Sequence, residues 1–193
     1  MPAGLIKQFN WVDILIIILL FRVGYISLKN GFPIALFKLC GTVLAIYASL
    51  HYYTVLSDSF LNFFSIKKAP LELIDFVSFL FLALISYFLF VLFRNIFTHL
   101  IKMEAVSTLN KWGGLFLGAI RGVLLCGLLI FMLAVSGVNY LNSSAKHSYF
   151  GSWFFGAASN TYSFLWNDLV SKFMPNEKFN LKVTDTEEKF SKK

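Results

Sequence analysis

The sequence predicts an all-α polytopic membrane protein with four transmembrane helices and two interfacial amphipathic helices. Hydrophobic residues make up 58% of the 193 positions, and the mean hydropathy is +0.70. Charged residues make up only 14%, against roughly 25% in soluble globular domains. Four apolar runs each approach or exceed the ~20 residues that a membrane-spanning helix needs. They cover residues 11–28, 32–55, 71–93 and 112–135 of a transmembrane domain predicted over residues 1–135.

The first run is interpreted as a retained membrane helix and not as a signal peptide. Asp13 and Arg22 interrupt its apolar core, and no small-residue cleavage site follows. The segment Lys-Asn-Gly at 29–31 comes next, with Pro33 close behind, which is typical of a tight turn. We therefore expect the first two helices to form an antiparallel hairpin.

Small residues recur every four positions in the second and fourth predicted helices. The two series are Gly41, Ala45 and Ser49, and Gly114, Gly118 and Gly122. Residues four apart share a helix face, and small residues there let membrane helices approach closely. In a soluble helix each interior glycine would cost about 1 kcal/mol relative to alanine. The pattern predicts helix-packing surfaces, and we expect the two series to face each other.

The segment 56–66 is too short to cross a bilayer and is predicted as an interfacial helix. Its apolar face includes Phe60 and Phe63, which are predicted interfacial anchors, and its other face is polar. The third transmembrane helix follows. Acidic Glu72 and Asp75 lie in its first turns, where the helix dipole favours negative charge.

The region after the fourth helix is predicted to lie at the membrane surface. Residues 136–174 combine an apolar stripe with a polar face, and Trp153 and Trp166 are expected at the headgroup level. A fifth, poorly apolar transmembrane helix is the alternative. Residues 175–193 alternate lysine with acidic residues and are predicted to be a flexible charged tail.

Basic residues favour one orientation in the membrane. One side of the membrane carries the turn between helices one and two and the turn between helices three and four. The basic residues on this side are Arg22, Lys29, Lys38, Arg94, Lys102, Lys111 and Arg121. On the side of the termini lie Lys7, Lys67, Lys68 and Lys146. By the positive-inside rule the first side faces the cytoplasm, so both termini are predicted to be periplasmic.

Two arginines, Arg22 and Arg121, are predicted to reach the same middle depth of the bilayer, counting ~1.5 Å per residue. No acidic residue lies at that depth, because Asp13, Glu72 and Asp75 cluster near the surface that carries the termini, where Asp13 is a third candidate functional charge. A buried arginine needs compensation. Snorkelling to lipid phosphates is one interpretation. A bound anion near a helix start at Gly113 and Gly114 is a second, and a carboxylate from a partner protein is a third.

The sequence contains no recognisable catalytic or cofactor motif. Its three histidines are dispersed, with no zinc-ligand spacing, nucleophile elbow, P-loop or dinucleotide fingerprint. The net charge of +7 is scattered over helix ends, which favours anionic headgroups of the lipid bilayer over nucleic acid. We expect no enzyme activity, no cofactor, no metal and no nucleic-acid partner.

Three segments resemble the colicin V production (CvpA) family of bacterial inner-membrane proteins. They are NWVDILIIILL, with Asp13; GYISLKNGFPIALFKLCGTVLAIY, with Gly24, Gly31 and Gly41; and NKWGGLFLGAIRGVLL, with Gly114, Gly118, Arg121 and Gly122. The resemblance covers about residues 9–170. It departs at Ala35-Leu36, where family members often carry an acidic residue, and in the basic tail.

The resemblance implies a multi-pass inner-membrane protein needed for colicin V export and tied to envelope integrity. The first hypothesis is a non-enzymatic accessory or scaffold with a membrane or envelope protein partner, or one that forms a homo-oligomer. The alternative is a small anion transporter or channel that uses the layer formed by Arg22 and Arg121.

Overall fold

The computed structural model describes residues 9–64, 70–100 and 107–191, and every element in these ranges is helical, which confirms the all-α class. The helices are α1 (Trp11–Phe64), α2 (Leu71–Leu100), α3 (Ser107–Val135), α4 (Asn139–His147), α5 (Gly151–Leu165), α6 (Ser171–Phe173) and α7 (Leu181–Ser191). A π-helical turn, Trp166–Val170, joins α5 to α6. Of the basic residues counted for orientation, Lys7, Lys67, Lys68 and Lys102 lie outside the described residues.

Helix α1 is divided at Gly31 into a first arm, residues 11–30, and a second arm, residues 32–64. Gly31 has φ +73° and ψ 175°, a combination that residues with a side chain rarely adopt. The first arm is antiparallel to α3, because Gly114 lies against Gly31 and Gly118 lies against Ser27. The glycine at the predicted turn is therefore where the backbone changes direction.

The second arm runs parallel to α3. Gly113 lies against Phe32 near the start of this arm, and Arg121 is hydrogen-bonded to Thr42 further along it. The arms thus run in opposite directions along α3, so α1 forms the antiparallel hairpin that the turn sequence predicts. Asn110 on α3 stabilises the turn, because its Oδ1 accepts a hydrogen bond of 2.8 Å from the backbone N–H of Phe32.

The glycine series on α3 packs against the first arm of α1. A Cβ on Gly114 would lie 2.9 Å from both Gly31 C and Ser27 O. The predicted pairing with the series on the second helix is wrong, since Gly41 lies against Phe90 of α2. The four-residue period identifies a close-packing face, but the first arm of the hairpin occupies that face on α3.

Three helices are long and apolar enough to cross a membrane among the described residues: Trp11–Phe63, Leu71–Ile96 and Asn110–Val135. A count of four requires that each arm of α1 crosses separately, and it stays a prediction. The predicted interfacial helix 56–66 has no boundary of its own. Its residues continue α1 without a break to Phe64, and residues 65 and 66 lie outside the described ranges.

Residues 139–191 form a folded unit, here called the cap, over one end of the long helices. Helix α5 contacts α3 at Gly127, where a Cβ would lie 2.8 Å from both Ala158 N and Phe154 O. Phe131 of α3 stacks between Phe79 of α2 and Phe155 of α5, with ring centroids 5.8 and 5.7 Å apart. The cap thus shares a core with the long helices.

The predicted flexible tail is folded over most of its length. Val183 and Phe190 lie seven residues apart, which places both on the inner face of α7, and both are buried. Phe190 stacks on Phe155 with centroids 3.9 Å apart, and Lys182 Nζ lies 3.5 Å from Asp75 Oδ2 of α2. Two buried apolar side chains and an ion pair therefore connect this charged helix to the rest of the protein.

Candidate functional site

Arg121 is buried where α3 meets α1 and α2, with 7% of its surface exposed. Its Nε donates to Thr42 Oγ1 over 3.2 Å, and its Nη2 donates to Tyr87 Oη over 3.1 Å. Thr42 Oγ1 in turn donates to Lys38 O over 3.0 Å, within the second arm of α1. The guanidinium therefore joins three helices through hydroxyl groups, and it forms no ion pair within the described ranges.

A cavity of about 480 Å³, here called the basic cavity, lies beside Arg121. Three cationic side chains line it: Arg22 from the first arm of α1, Lys38 from the second arm, and Arg121 from α3. The hydroxyl-bearing residues Thr42 and Tyr87 also line it. The remaining lining is apolar and comprises Leu19, Val23, Ile26, Ala45, Phe79, Leu80, Ala83, Leu84, Leu125, Leu128, Leu129 and Met132.

The electrostatic environment of the basic cavity is positive. None of the described residues that line it is Asp or Glu. Arg22, Lys38 and Arg121 carry the same charge and line the same space. Like charges that face one another in a medium of low dielectric constant raise the free energy of the empty site, and a bound anion would lower it.

The basic cavity is open on one side. Helix α2 packs along α1 and touches α3 far less, which leaves a gap between α2 and α3. At this gap the lining residue Leu84 is 60% exposed, and Leu80 is also exposed. In a bilayer, such apolar side chains contact acyl chains. The exposed part of the lining on α2 is therefore apolar.

The two arginines singled out in the sequence line the same cavity, whereas the predicted anion position at Gly113 and Gly114 is wrong. Helix α3 already begins at Ser107, so these glycines lie inside it and their faces are filled by Phe32 and Gly31. Sequence reasoning missed Lys38 as a site residue, although it lies in an apolar run. It also missed Tyr87, because helical periodicity alone does not identify the neighbouring helix.

Asp13 does not line the basic cavity, and its hydrogen bonds connect the cap to α1. Its Oδ1 accepts hydrogen bonds from Ser148 Oγ at 2.6 Å and from Phe150 N at 2.9 Å. Its Oδ2 accepts the N–H of Asn10 at 2.8 Å. All three donors hold the charged carboxylate in place. This geometry makes Asp13 a structural anchor between the start of α1 and the connection from α4 to α5.

A second polar cluster, centred on His51, joins the second arm of α1 to the cap. His51 Nδ1 lies 3.0 Å from Tyr162 Oη, and His51 Nε2 lies 3.3 Å from Glu177 Oε2. Tyr162 Oη also accepts the N–H of Asn180 over 3.0 Å, and Asn180 Nδ2 donates to Leu50 O over 2.7 Å. Burial raises the pKa of Tyr162 to about 12. The phenol therefore stays neutral and serves as a hydrogen-bonding group.

The predicted interfacial anchors occupy different environments. Trp153 and Phe63 are 78% and 83% exposed, as an anchor at the membrane surface requires. Trp166 is buried instead, because its ring stacks on His51 with centroids 5.4 Å apart and meets Phe179 edge-on. Phe60 packs edge-on against Phe81 of α2.

The part of the chain that the structure describes contains no group of three or more His, Cys, Asp or Glu residues placed to hold a metal ion. Ser143 and His147 are hydrogen-bonded on one exposed helix face, with Ser143 Oγ 3.3 Å and Ser143 O 2.8 Å from His147 Nδ1. This local contact fixes the orientation of the ring along α4.

A comparison with known protein families matches residues 12–159 to the colicin V production protein family. The chain belongs to this family. The match covers α1, α2, α3 and α4 and most of α5, so it includes Arg22, Lys38, Tyr87 and Arg121. This family member is accordingly a membrane protein with several apolar helices. No curated protein and no solved structure matches the chain.

Proposed function

We propose that this family member is a non-enzymatic accessory or scaffold protein of the bacterial inner membrane. It supports the production or export of colicin V and the maintenance of the envelope. The observation that carries this proposal is that polar side chains of α1 bind groups of the cap and hold it in place. Asp13 is held by Ser148 and by backbone N–H groups, and His51 is held by Tyr162 and Glu177. Such contacts build a rigid surface for a partner.

In this proposal each arm of α1 crosses the membrane, which gives four crossings with α2 and α3. The first arm has 20 residues, or about 30 Å of helix, which matches the hydrocarbon core. Both termini and the cap then face the periplasm. A reporter that is active only in the cytoplasm, fused after Lys193, is expected to be inactive. The same reporter inserted after Asn30 is expected to be active, and the reverse result would overturn the orientation.

Co-purification from native membranes tests the scaffold role. The tagged full chain is expected to retain a membrane or envelope protein in stoichiometric amount. Trp153→Ala removes an exposed aromatic side chain of the cap and is expected to weaken that association. Phe116→Ala is the matched control, because Phe116 is an exposed aromatic on α3. Purification of the chain without a stoichiometric partner, or as a homo-oligomer alone, contradicts a scaffold for another protein.

Transport of an anion is a second candidate function, and the basic cavity is the observation that favours it. Arg22, Lys38 and Arg121 from three segments line one space. Reconstituted protein is expected to pass an anion in a flux assay if this role holds, and Arg121→Gln should abolish the flux. Lys111→Gln removes an exposed charge on the same helix and should leave the flux unchanged. Absence of flux with every anion supplied would exclude transport.

A further inference from the structure

We propose that the basic cavity binds one acidic phospholipid from the surrounding bilayer. The lipid phosphate lies among Arg22, Lys38 and Arg121, and an acyl chain follows the apolar wall towards the gap between α2 and α3. This inference goes beyond the scaffold role, and its failure would leave that role intact.

Charge complementarity is the first argument. Three cationic side chains from three segments line the cavity, and none of the described lining residues is acidic. Arg121 is fixed by Thr42 and Tyr87, so its remaining N–H groups have a defined direction. A guanidinium has five N–H donors and binds phosphate oxygens with well-defined geometry. Basic pockets between membrane helices are typical binding sites for acidic headgroups.

The apolar wall is the second argument, and it favours a lipid over a small free anion. Twelve of the 17 lining residues are apolar, and they come from α1, α2 and α3. A hydrated inorganic anion would lose water along this wall without gaining donors. An acyl chain is itself apolar and packs along this wall without losing hydrogen bonds to water.

The depth of the cations is the third argument. Lys38 lies seven residues and Arg22 nine residues from Gly31, which corresponds to about 10 and 13 Å along a helix. A phosphate bound to both is therefore below the level of the turn at Gly31. Because the gap beside Leu80 and Leu84 is open, a lipid can enter sideways from the bilayer and need not pass through the turn.

Native mass spectrometry of the full chain in detergent tests the proposal. The probes are phosphatidylglycerol and phosphatidylcholine with identical acyl chains. The first phosphatidylglycerol is expected to bind about ten-fold more tightly than phosphatidylcholine, because both lipids carry a phosphate but the three cations of the cavity repel the choline ammonium. Lys38→Gln and Arg22→Gln should each remove most of this preference. Arg121→Gln also breaks the contacts with Thr42 and Tyr87, so it is not the primary variant.

Two controls make the result decisive. Lys111→Gln removes an exposed positive charge from α3 outside the cavity and should leave the lipid preference unchanged. Ala83→Phe keeps every charge but fills the cavity, and it should abolish tight binding. Equal retention of the two lipids, or equal losses in Lys38→Gln and Lys111→Gln, would overturn the proposal. The proposal would also be overturned if inorganic phosphate alone raised the melting temperature as much as phosphatidylglycerol does. That result would identify a site for a free anion.

Discussion

Arg121 Nε and Thr42 Oγ1 are joined by a hydrogen bond of 3.2 Å, although 79 residues separate them in the chain. Both residues are buried. The contact links α3 to the second arm of α1, and Tyr87 extends it to α2. A buried guanidinium in this protein is thus compensated by hydroxyl groups, which accept its hydrogen bonds without cancelling its charge. Because this charge is not cancelled, the basic cavity has a positive electrostatic potential.

Replacing Thr42 by valine tests the value of this contact. Thr42→Val keeps the side-chain shape and leaves Arg121 Nε without its acceptor, so we expect a loss of about 1–3 kcal/mol in the free energy of unfolding. Thr161→Val is the control, because Thr161 Oγ1 donates only within its own helix, to Ala157 O over 2.7 Å. Thermal unfolding in detergent provides the measurement. Equal decreases in melting temperature for both variants would show that the hydrogen bond from Arg121 to Thr42 does not stabilise the protein.

The contact between Gly114 and the turn at Gly31 leads to a second prediction. A Cβ on Gly114 would meet backbone atoms at 2.9 Å, and backbone cannot rotate away. Gly114→Ala should therefore lower the free energy of unfolding by about 1–3 kcal/mol, although alanine favours a helix. At Gly24 nothing lies within 4 Å of such a Cβ, so Gly24→Ala should be neutral or stabilising. If Gly114→Ala were as stable as Gly24→Ala in thermal unfolding, the close approach of the two helices would be disproved.

The proximity of the two arginines could be anticipated from the sequence, because helical rise and the positions of the turns place them at a similar distance along their helices. Arg22 and Arg121 do line one cavity. The neighbour of the glycine series could not be predicted in the same way. Periodicity identifies which face of a helix packs closely, and both Gly41 and Gly114 satisfy that criterion. Which helix covers each face depends on the arrangement of the whole bundle.

The cap was the least predictable part for a related reason. The apolar residues of α7 are few, and the charged residues around Val183 and Phe190 conceal a buried face only two positions wide. Tryptophan is a residue type that is enriched at the membrane surface, yet Trp166 stacks on His51, 115 positions earlier in the chain. Local sequence patterns contain no information about such distant partners.

A third prediction concerns alkaline pH. Burial raises the pKa of Tyr162 to about 12 from an unfolded value of 10.0, so the folded state holds this proton more tightly. The resulting stabilisation is fully present below pH ~10 and is lost as the pH rises towards ~12. Tyr162→Phe also leaves Asn180 N without its acceptor. The variant should be less stable than the natural chain at neutral pH, and the difference should shrink above pH ~10.

Melting temperatures across this pH range measure the effect. Tyr140→Phe is the control, because Tyr140 is exposed and its ring, stacked on Trp11, is retained in the variant. This control should follow the natural chain at every pH. A difference between Tyr162→Phe and the natural chain that stays constant up to pH ~12 would mean that Tyr162 does not titrate in this window.

The fourth prediction concerns the docking of α7. Val183 is buried, whereas Leu181, two positions earlier in the same helix, is 71% exposed. Val183→Asp places a carboxylate among apolar side chains, which costs several kcal/mol, so α7 should detach from the rest of the cap. Leu181→Asp adds the same charge at the surface and should leave α7 in place.

Limited digestion with trypsin, followed by mass spectrometry, distinguishes the two states through cleavage after Lys182 and Lys189. Cleavage at equal rates in both variants and in the natural chain would mean that Val183 does not hold α7. Rapid cleavage in Val183→Asp alone would establish that a single buried valine, together with the Phe190–Phe155 stack, orders this charged segment.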